Sequence, residues 1–213
     1  MGCGKSQLSD PRSALAEAKR LLDDASAVHF HLTGTDTPPT GQHIDSGDGD
    51  ASRPAQFQGK LSVSFNGFLV PINIVSVGHT FYVELPPYAG YQKADPSKYS
   101  FGDPAVLLDR DRGLSSLLIA AKNPTVKDRT RFQGEELDEI SASLPGDLVG
   151  RLLTSADTGN PKQDFTGIIG LNVDTHQLRR VSLTGLFLDP RKASTYTLVL
   201  DKYGENVSIT PPA

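Results

Sequence analysis

Asn66-Gly67 sits between Phe65 and Phe68, and each of these ends a run in which apolar and polar residues alternate. A two-residue turn needs positive φ at both central positions, which Asn and Gly supply, so the pair predicts a β-hairpin of fixed register. Phe65 then faces Phe68, Val63 faces Val70 and Leu61 faces Ile72, all on one side of the ribbon. Ser64, Ser62, Lys60 and Asn73 fall on the other. If Gly78-His79 makes the next turn, Ile74 meets Val83 and Ile72 meets Leu85 on the apolar side, while Asn73 meets Glu84 opposite. Pro71 then faces Pro86, and since neither can donate to the ladder, pairing stops there. Residues 58–85 thus predict three strands with one continuous apolar face and one polar face.

The rest of the chain is punctuated in the same way. Asp10-Pro11 opens an amphipathic helix, with Ala14, Leu15, Ala18, Leu21, Leu22 and Ala25 at helical spacing and an end near Ser26. Val28, Phe30 and Leu32 alternate with His29, His31 and Thr33 as in a half-buried strand. Residues 34–55 are rich in Gly, Asp, Thr, Ser and Pro and read as a long loop. A loop of that length is uncommon inside a compact fold, so part of it is expected as an irregular edge strand. Asp103-Pro104 repeats the capping signal ahead of Val106, Leu107 and Leu108. Leu114, Leu117, Leu118 and Ala121 then continue at helical spacing to a stop at Asn123-Pro124. Further strands are expected at 127–132, 135–143, 165–173, 178–187, 194–200 and 206–210, with a short helix around 147–153 and a last turn at Tyr203-Gly204-Glu205. The sum is roughly ten strands and three to five helices.

With 213 residues, 37% of them apolar, the chain can bury a sizeable core. No stretch approaches the ~20 apolar residues of a membrane-spanning helix. The net charge of -4, with Arg179-Arg180 and Arg191-Lys192 far apart, gives no basic face for nucleic acid. The only cysteine is Cys3, so no internal disulfide supports the fold. Gly2-Cys3 fits the last two positions of a bacterial lipoprotein cleavage site, after which the cysteine carries the acyl chains of a membrane anchor. On that reading Met1 stands where a removed leader ended. Met1-Gly2 followed by Ser6 equally fits N-myristoylation, and a chance cysteine in a floppy terminus is a third reading. Residues 1–9 read as a tether and 10–213 as one domain.

Signals for chemistry are weak. His29 and His31 share one face of a strand, a geometry that can grip a metal, but with no cysteine nearby they read as its solvent-facing side. Asp45, Asp48 and Asp50 lack the spacing of a calcium loop. There is no Gly-x-Ser-x-Gly elbow, P-loop, dinucleotide fingerprint or His-Glu-x-x-His. Glu135-Glu136 and Asp138-Glu139 read as acids on an edge strand that discourage aggregation. These readings give no enzyme, no metal and no cofactor. The apolar face remains: either an ordinary core covered by helices, or a sheet from which the helices stand off to leave a lipid-sized space. Tyr88 to Tyr99, aromatic and basic without a clear structural job, is the candidate contact for an envelope export or sensor protein.

Gly102-Asp103-Pro104-Ala105-Val106-Leu107-Leu108, then Gly113-Leu114, and Leu200-Asp201-Lys202-Tyr203-Gly204-Glu205-Asn206-Val207-Ser208-Ile209-Thr210 follow in this order along the chain, with Gly78, Tyr82 and Leu85 in the central hairpin. In these stretches the chain resembles the mycobacterial LppX/LprG family of lipoproteins, over nearly its whole length. The resemblance implies an α+β fold: an antiparallel half-barrel sheet of about ten strands with helices covering the concave face, LolA/LolB-like. It implies a strand inside residues 34–55, and it selects the lipidation reading of Cys3. It also implies a non-enzymatic protein, exported and held at the outer face of the cell membrane or in the periplasmic space. Its ligand would be a diacylated or triacylated envelope glycolipid, or a phospholipid, helped toward the outer envelope or sensed on behalf of a partner. The cavity wall is then assigned to Leu32, to Leu61, Val63, Phe65, Val70, Ile72 and Ile74 of the hairpin, and to Phe81, Val83 and Leu85 of the next strand. Leu107, Leu114, Leu117 and Leu118 would supply the helical side. Phe165, Ile169 and Leu171, Val181 and Leu183, and Leu198 and Leu200 would supply the C-terminal strands.

Overall fold

The structure, a computed structural model, describes residues 8–99, 102–153 and 163–212. Among the described residues, eleven strands form one antiparallel sheet. They are β1 (Ala27–Thr35), β2 (Gln42–Ser52), β3 (Gln56–Phe65), β4 (Phe68–Val77), β5 (Thr80–Glu84), β6 (Gln92–Ala94), β7 (Lys122–Phe132), β8 (Glu135–Leu144), β9 (Phe165–Asn172), β10 (Leu178–Gly185) and β11 (Ser194–Asp201). Their spatial order is β6-β5-β4-β3-β2-β1-β11-β10-β9-β8-β7, so the sheet is open, with β6 and β7 as its edges. Helices α1 (Pro11–Asp24), α2 (Leu114–Ala120) and α3 (Gly146–Leu153), with a 3-10 turn at Pro104–Leu108, cover the concave face. This is the half-barrel that the resemblance implied. Among the described residues no helix is long and apolar enough to cross a membrane.

The hairpin register is as the alternation dictates. Phe65 pairs with Phe68, Val63 with Val70 and Leu61 with Ile72, and Asn66 and Gly67 both adopt positive φ. Ile74 pairs with Val83 across the turn at Gly78-His79, and Asn73 Nδ2 donates to Glu84 Oε2 at 2.8 Å on the polar side. The β4–β5 ladder ends at that pair, just short of Pro71 and Pro86. Asp10 caps α1 by accepting from Arg12 N at 3.0 Å, and the helix buries Leu15, Ala18 and Leu22.

Four expectations need correction. Residues 42–52 are neither loop nor edge: β2 is an interior strand between β1 and β3. Its Gly and Asp content hides it, because Gly47, Gly49 and Ala51 face the core while Asp48 and Asp50 sit opposite His31 and His29 on the outer face. Asp50 Oδ1 lies 2.7 Å from His29 Nδ1 and Asp48 Oδ2 3.3 Å from His31 Nδ1, cross-strand pairs that offset a poor strand propensity. The acidic run Glu135–Glu139 is likewise not on an edge. β8 lies between β7 and β9, and Glu135 pairs with Arg179 at 2.8 Å, Asp138 with Arg129 at 2.9 Å, and Glu139 with Arg180. The edge is β7, where Pro124 and two register shifts interrupt the ladder. α2 ends at Ala120, so Asn123-Pro124 falls inside β7 rather than stopping the helix. Residues 206–210 form no strand, although Ile209 is buried. The segment 88–99 also acquires a structural role, since it supplies β6 and sets Tyr99 6.0 Å from the Phe81 ring.

The cover is fastened at one end of the sheet by Arg53, in the β2–β3 connection. Its guanidinium donates to Ala25 O at 3.0 Å, to Leu22 O at 3.1 Å and to Leu108 O at 2.5 Å. These are the orphan carbonyls at the ends of α1 and of the 3-10 turn, where a cation is also favoured by the helix dipole. Two further ties join the layers. Ser76 on β4 donates to Asp103 at 2.8 Å, the residue that caps the 3-10 turn, and Ser115 on α2 donates to Asp23 on α1 at 2.7 Å.

Two expected outcomes follow from these contacts. Arg53→Met leaves the three carbonyls without their donor and should cost about 3 kcal/mol, a fall of roughly 6–12 °C in Tm by calorimetry. His43 is buried with Nδ1 unpartnered, and burial holds its pKa below the ordinary 6.5. Between the folded and unfolded values the unfolded chain binds the extra proton, so stability is full above 6.5 and falls as pH drops through the folded value. Denaturant titrations should show this loss in the wild type and a flatter profile in His43→Gln.

Candidate functional site

The helical cover does not meet the sheet everywhere. Between them lies a void of ≈ 90 Å³, lined almost wholly by apolar groups. Its sheet wall is carried by Phe30 and Leu32 on β1, Ile44 on β2, Phe57 and Leu61 on β3, Val181 and Leu183 on β10, and Leu198 on β11. Opposite stand Pro104 and Leu107 of the 3-10 turn, Leu114 and Leu117 of α2, and Leu152 of α3.

The floor exists because β2 presents Gly47 and Gly49 to the void and β3 places Gly59 opposite Gly49. Gly49 pairs with Gly59, and Gly47 pairs with Leu61. A Cβ on Gly59 would lie 2.4 Å from Asp48 O, and one on Gly49 would lie 2.6 Å from Gln58 O and 2.7 Å from the Phe57 ring. The Phe57 ring therefore lies down over the glycine pair, and Leu61 leans across Gly47, where a Cβ would meet its Cδ2 at 2.7 Å. Side chains that would otherwise fill the concave face are laid flat along it. One end of the void is finished by aromatic packing. The Phe187 ring stacks on Phe165 at 4.3 Å and meets Tyr196 edge-on at 5.3 Å. Tyr196 donates its hydroxyl to Ile44 O at 2.9 Å, and burial pushes its phenol well above the ordinary range, so it presents a neutral, satisfied group. Asp48 also borders the void, but its carboxylate is engaged by His31 and His29 on the other face.

Of the residues assigned to a cavity wall from sequence, the structure gathers Leu32, Leu61, Leu107, Leu114, Leu117, Val181, Leu183 and Leu198 around the void. Val63, Ile72, Ile74, Phe81 and Val83 are buried beyond it, in packing continuous with its wall, as are Leu118, Phe165, Ile169, Leu171 and Leu200. Phe65, Val70 and Leu85 are half-buried against the same cluster. Cys3 lies outside the described residues. The sequence reading passed over Phe30, Ile44, Phe57, Leu152, Tyr196 and the glycine floor. Phe30 shared the alternation that named Leu32, but the glycines carry no hydrophobic signal, and only the pairing of β2 with β3 shows where they fall. Among the described residues no three His, Cys, Asp or Glu side chains form a metal-holding group.

Comparison with known proteins agrees with this architecture. The crystal structure of LprF from Mycobacterium bovis matches with a TM-score of 0.78 at 19% identity, covering 98% of this chain and 100% of that one. That of LppX from Mycobacterium tuberculosis matches with a TM-score of 0.64, also at 19% identity, covering 95% and 100%. In sequence, LprF of Mycobacterium tuberculosis H37Rv, named for a proposed transport of diacylated glycolipid, is 23% identical over 228 aligned residues. The alignment spans 100% of this chain and 85% of LprF. LprG of Mycolicibacterium smegmatis, named a lipoarabinomannan carrier protein, is 22% identical over 226 residues, covering 100% and 89%. The model of the LppX_LprAFG lipoproteins matches residues 10–209, nearly the whole length, and the chain belongs to that family.

Proposed function

We propose that the protein is a non-enzymatic carrier that shields the acyl chains of a diacylated or triacylated envelope glycolipid from water and helps move it toward the outer envelope. The observation that carries this reading is the void: an apolar space kept open inside a well-packed protein, floored by glycine and walled by leucine and phenylalanine. The names of LprF and LprG supply the ligand class. Burial of a methylene contributes ~0.8 kcal/mol, so one palmitoyl chain offers on the order of 12 kcal/mol before ordering costs. Asp48, the charged residue on the border of the void among the described residues, turns its carboxylate to the outer face, and an apolar cavity is the environment an acyl chain requires.

The void lies under the helical cover, so a chain enters it as that cover lifts from the sheet. The pieces of cover best suited to this are short: the 3-10 turn spans five residues and α2 seven, lengths that have little stability without tertiary packing. The loaded protein stands at the membrane through acyl chains on Cys3, with no metal or organic cofactor taking part.

Native mass spectrometry of delipidated protein should show saturable uptake of a diacylated glycolipid. Its absence would sink the carrier reading. Leu198→Phe, on the wall of the void, should leave Tm near wild type and lower lipid stoichiometry. Val83→Phe, in the packed region beyond, should cost roughly 1–3 kcal/mol. Equal loss of stability in both variants with unchanged uptake would place the acyl chains elsewhere. Expressed behind a lipoprotein leader in a host able to acylate it, the wild type should partition into Triton X-114 and Cys3→Ala into the aqueous phase. Equal partitioning of the two would remove Cys3 as the anchor.

A further inference from the structure

Four large apolar side chains are strongly exposed among the described residues: Phe68 at 77%, Tyr88 at 66%, and Leu69 and Ile119 at 59% each. The first three gather at one end of the sheet. Phe68 and Leu69 open β4 directly after the Asn66-Gly67 turn, and Tyr88 borders a groove with Pro71, two residues along the same strand from Leu69. The pairing of Thr35 with Thr195, Gln42 with Phe65, and Gly185 with Ser194 brings the β10–β11 connection to this same end. That connection ends in the exposed cations Arg191 and Lys192, and the Arg191 side chain is 91% exposed, with Asp189 only at 4.0 Å. Arg53 fastens the opposite end.

We propose that this end is a docking surface for an anionic lipid bilayer, with Phe68 and Leu69 entering the headgroup and acyl boundary and Arg191 and Lys192 meeting the lipid charge. Adjacent residues of a strand point to opposite faces, so Phe68 and Leu69 project in opposite directions from one narrow ribbon. A flat protein partner covers one of them at a time, whereas a fluid interface covers both. Tyrosine near the level of the apolar residues and cations at the same end of the sheet complete the usual composition of a surface that rests in an interface. The site is also continuous with the void. Ile44 and Leu61 line it, Ile44 pairs with Val63 and Val63 with Val70, and Phe65 and Phe68 follow on the same concave face. An acyl chain leaving a bilayer at the hairpin tip meets an apolar track all the way inward. The purpose of the surface rests on the carrier reading, but its binding to lipid does not.

Flotation with vesicles of equal parts phosphatidylglycerol and phosphatidylcholine, using the unacylated full chain, tests this. The wild type should float with these vesicles. Phe68→Ser/Leu69→Ser should lose more than tenfold in partitioning, and Arg191→Glu/Lys192→Glu should lose a similar factor there while matching wild type on pure phosphatidylcholine. Unchanged melting temperature and unchanged uptake of cis-parinaric acid in the variants would confirm that fold and void are intact. No flotation of the wild type, or equal flotation of wild type and Phe68→Ser/Leu69→Ser, overturns the proposal. So does a dimer in light scattering that is lost on Phe68→Ser/Leu69→Ser, which would make the tip a self-association surface. Flotation without parinaric acid uptake in the wild type would instead count against the cavity and leave the docking surface standing.

Discussion

The void depends on a steric constraint where Gly49 of β2 pairs with Gly59 of β3: a Cβ on either would meet the neighbouring backbone and the Phe57 ring. At Gly59 the nearest obstacle is a carbonyl oxygen of the neighbouring strand, which cannot turn aside as a side chain could. An alanine there must push the strands apart and break the ladder from Gln58 to Lys60. Because the position stays bare, the Phe57 ring lies over the glycine pair. A sheet with ordinary alternation would fill its concave face, and the helices would then close onto a solid core. Glycine weakens a strand, and here that cost is offset by the neighbours that keep β2 in register, with His29 opposite Asp50 and His31 opposite Asp48.

Fastening and opening lie at opposite ends of the same layers. Arg53 binds the last turns of α1 and of the 3-10 turn to the β2–β3 corner, so the cover is anchored where its helices finish. At the other end the void is bordered by Ile44, Leu183 and Tyr196, and beyond them lie the hairpin tip and the β1–β2 and β10–β11 connections. On the carrier reading, a cover fixed at one end dilates by hinging about it. Ser76 and Asp103 set a limit, since that pair holds the start of the 3-10 turn to β4.

How much of this was legible in the chain varies with how each element is stabilised. The β3–β4 hairpin was readable to the residue, because Asn66-Gly67 fixes a turn and the period of two does the rest. α1 was equally clear, with its cap, its proline and its apolar stripe all local. β2 was hidden, because its inward face is glycine and its outward face aspartate, and the interactions that make it a strand come from β1 and β3. β8 was recognised as a strand but set at the edge, since its acids are matched by Arg129, Arg179 and Arg180, which are distant or separate in sequence. The same asymmetry governs the site. Leucines on periodic segments could be named as wall, while the floor that makes the wall into a void is an absence of side chains, visible only once two strands are paired.

An apolar void of this kind selects by size more than by chemistry. Its bordering hydroxyl, on Tyr196, is already spent on Ile44 O, and its bordering carboxylate is held on the outer face, so neither is free to recognise a headgroup. Two long chains would offer on the order of 25 kcal/mol by methylene count, beyond the ceiling of any net affinity, so lifting the cover and ordering the chains must consume much of it. That expenditure is useful to a carrier, since a ligand held at the full value would never leave. On the carrier reading, deformation of the cover tunes release, and head-group discrimination falls to polar groups outside the void.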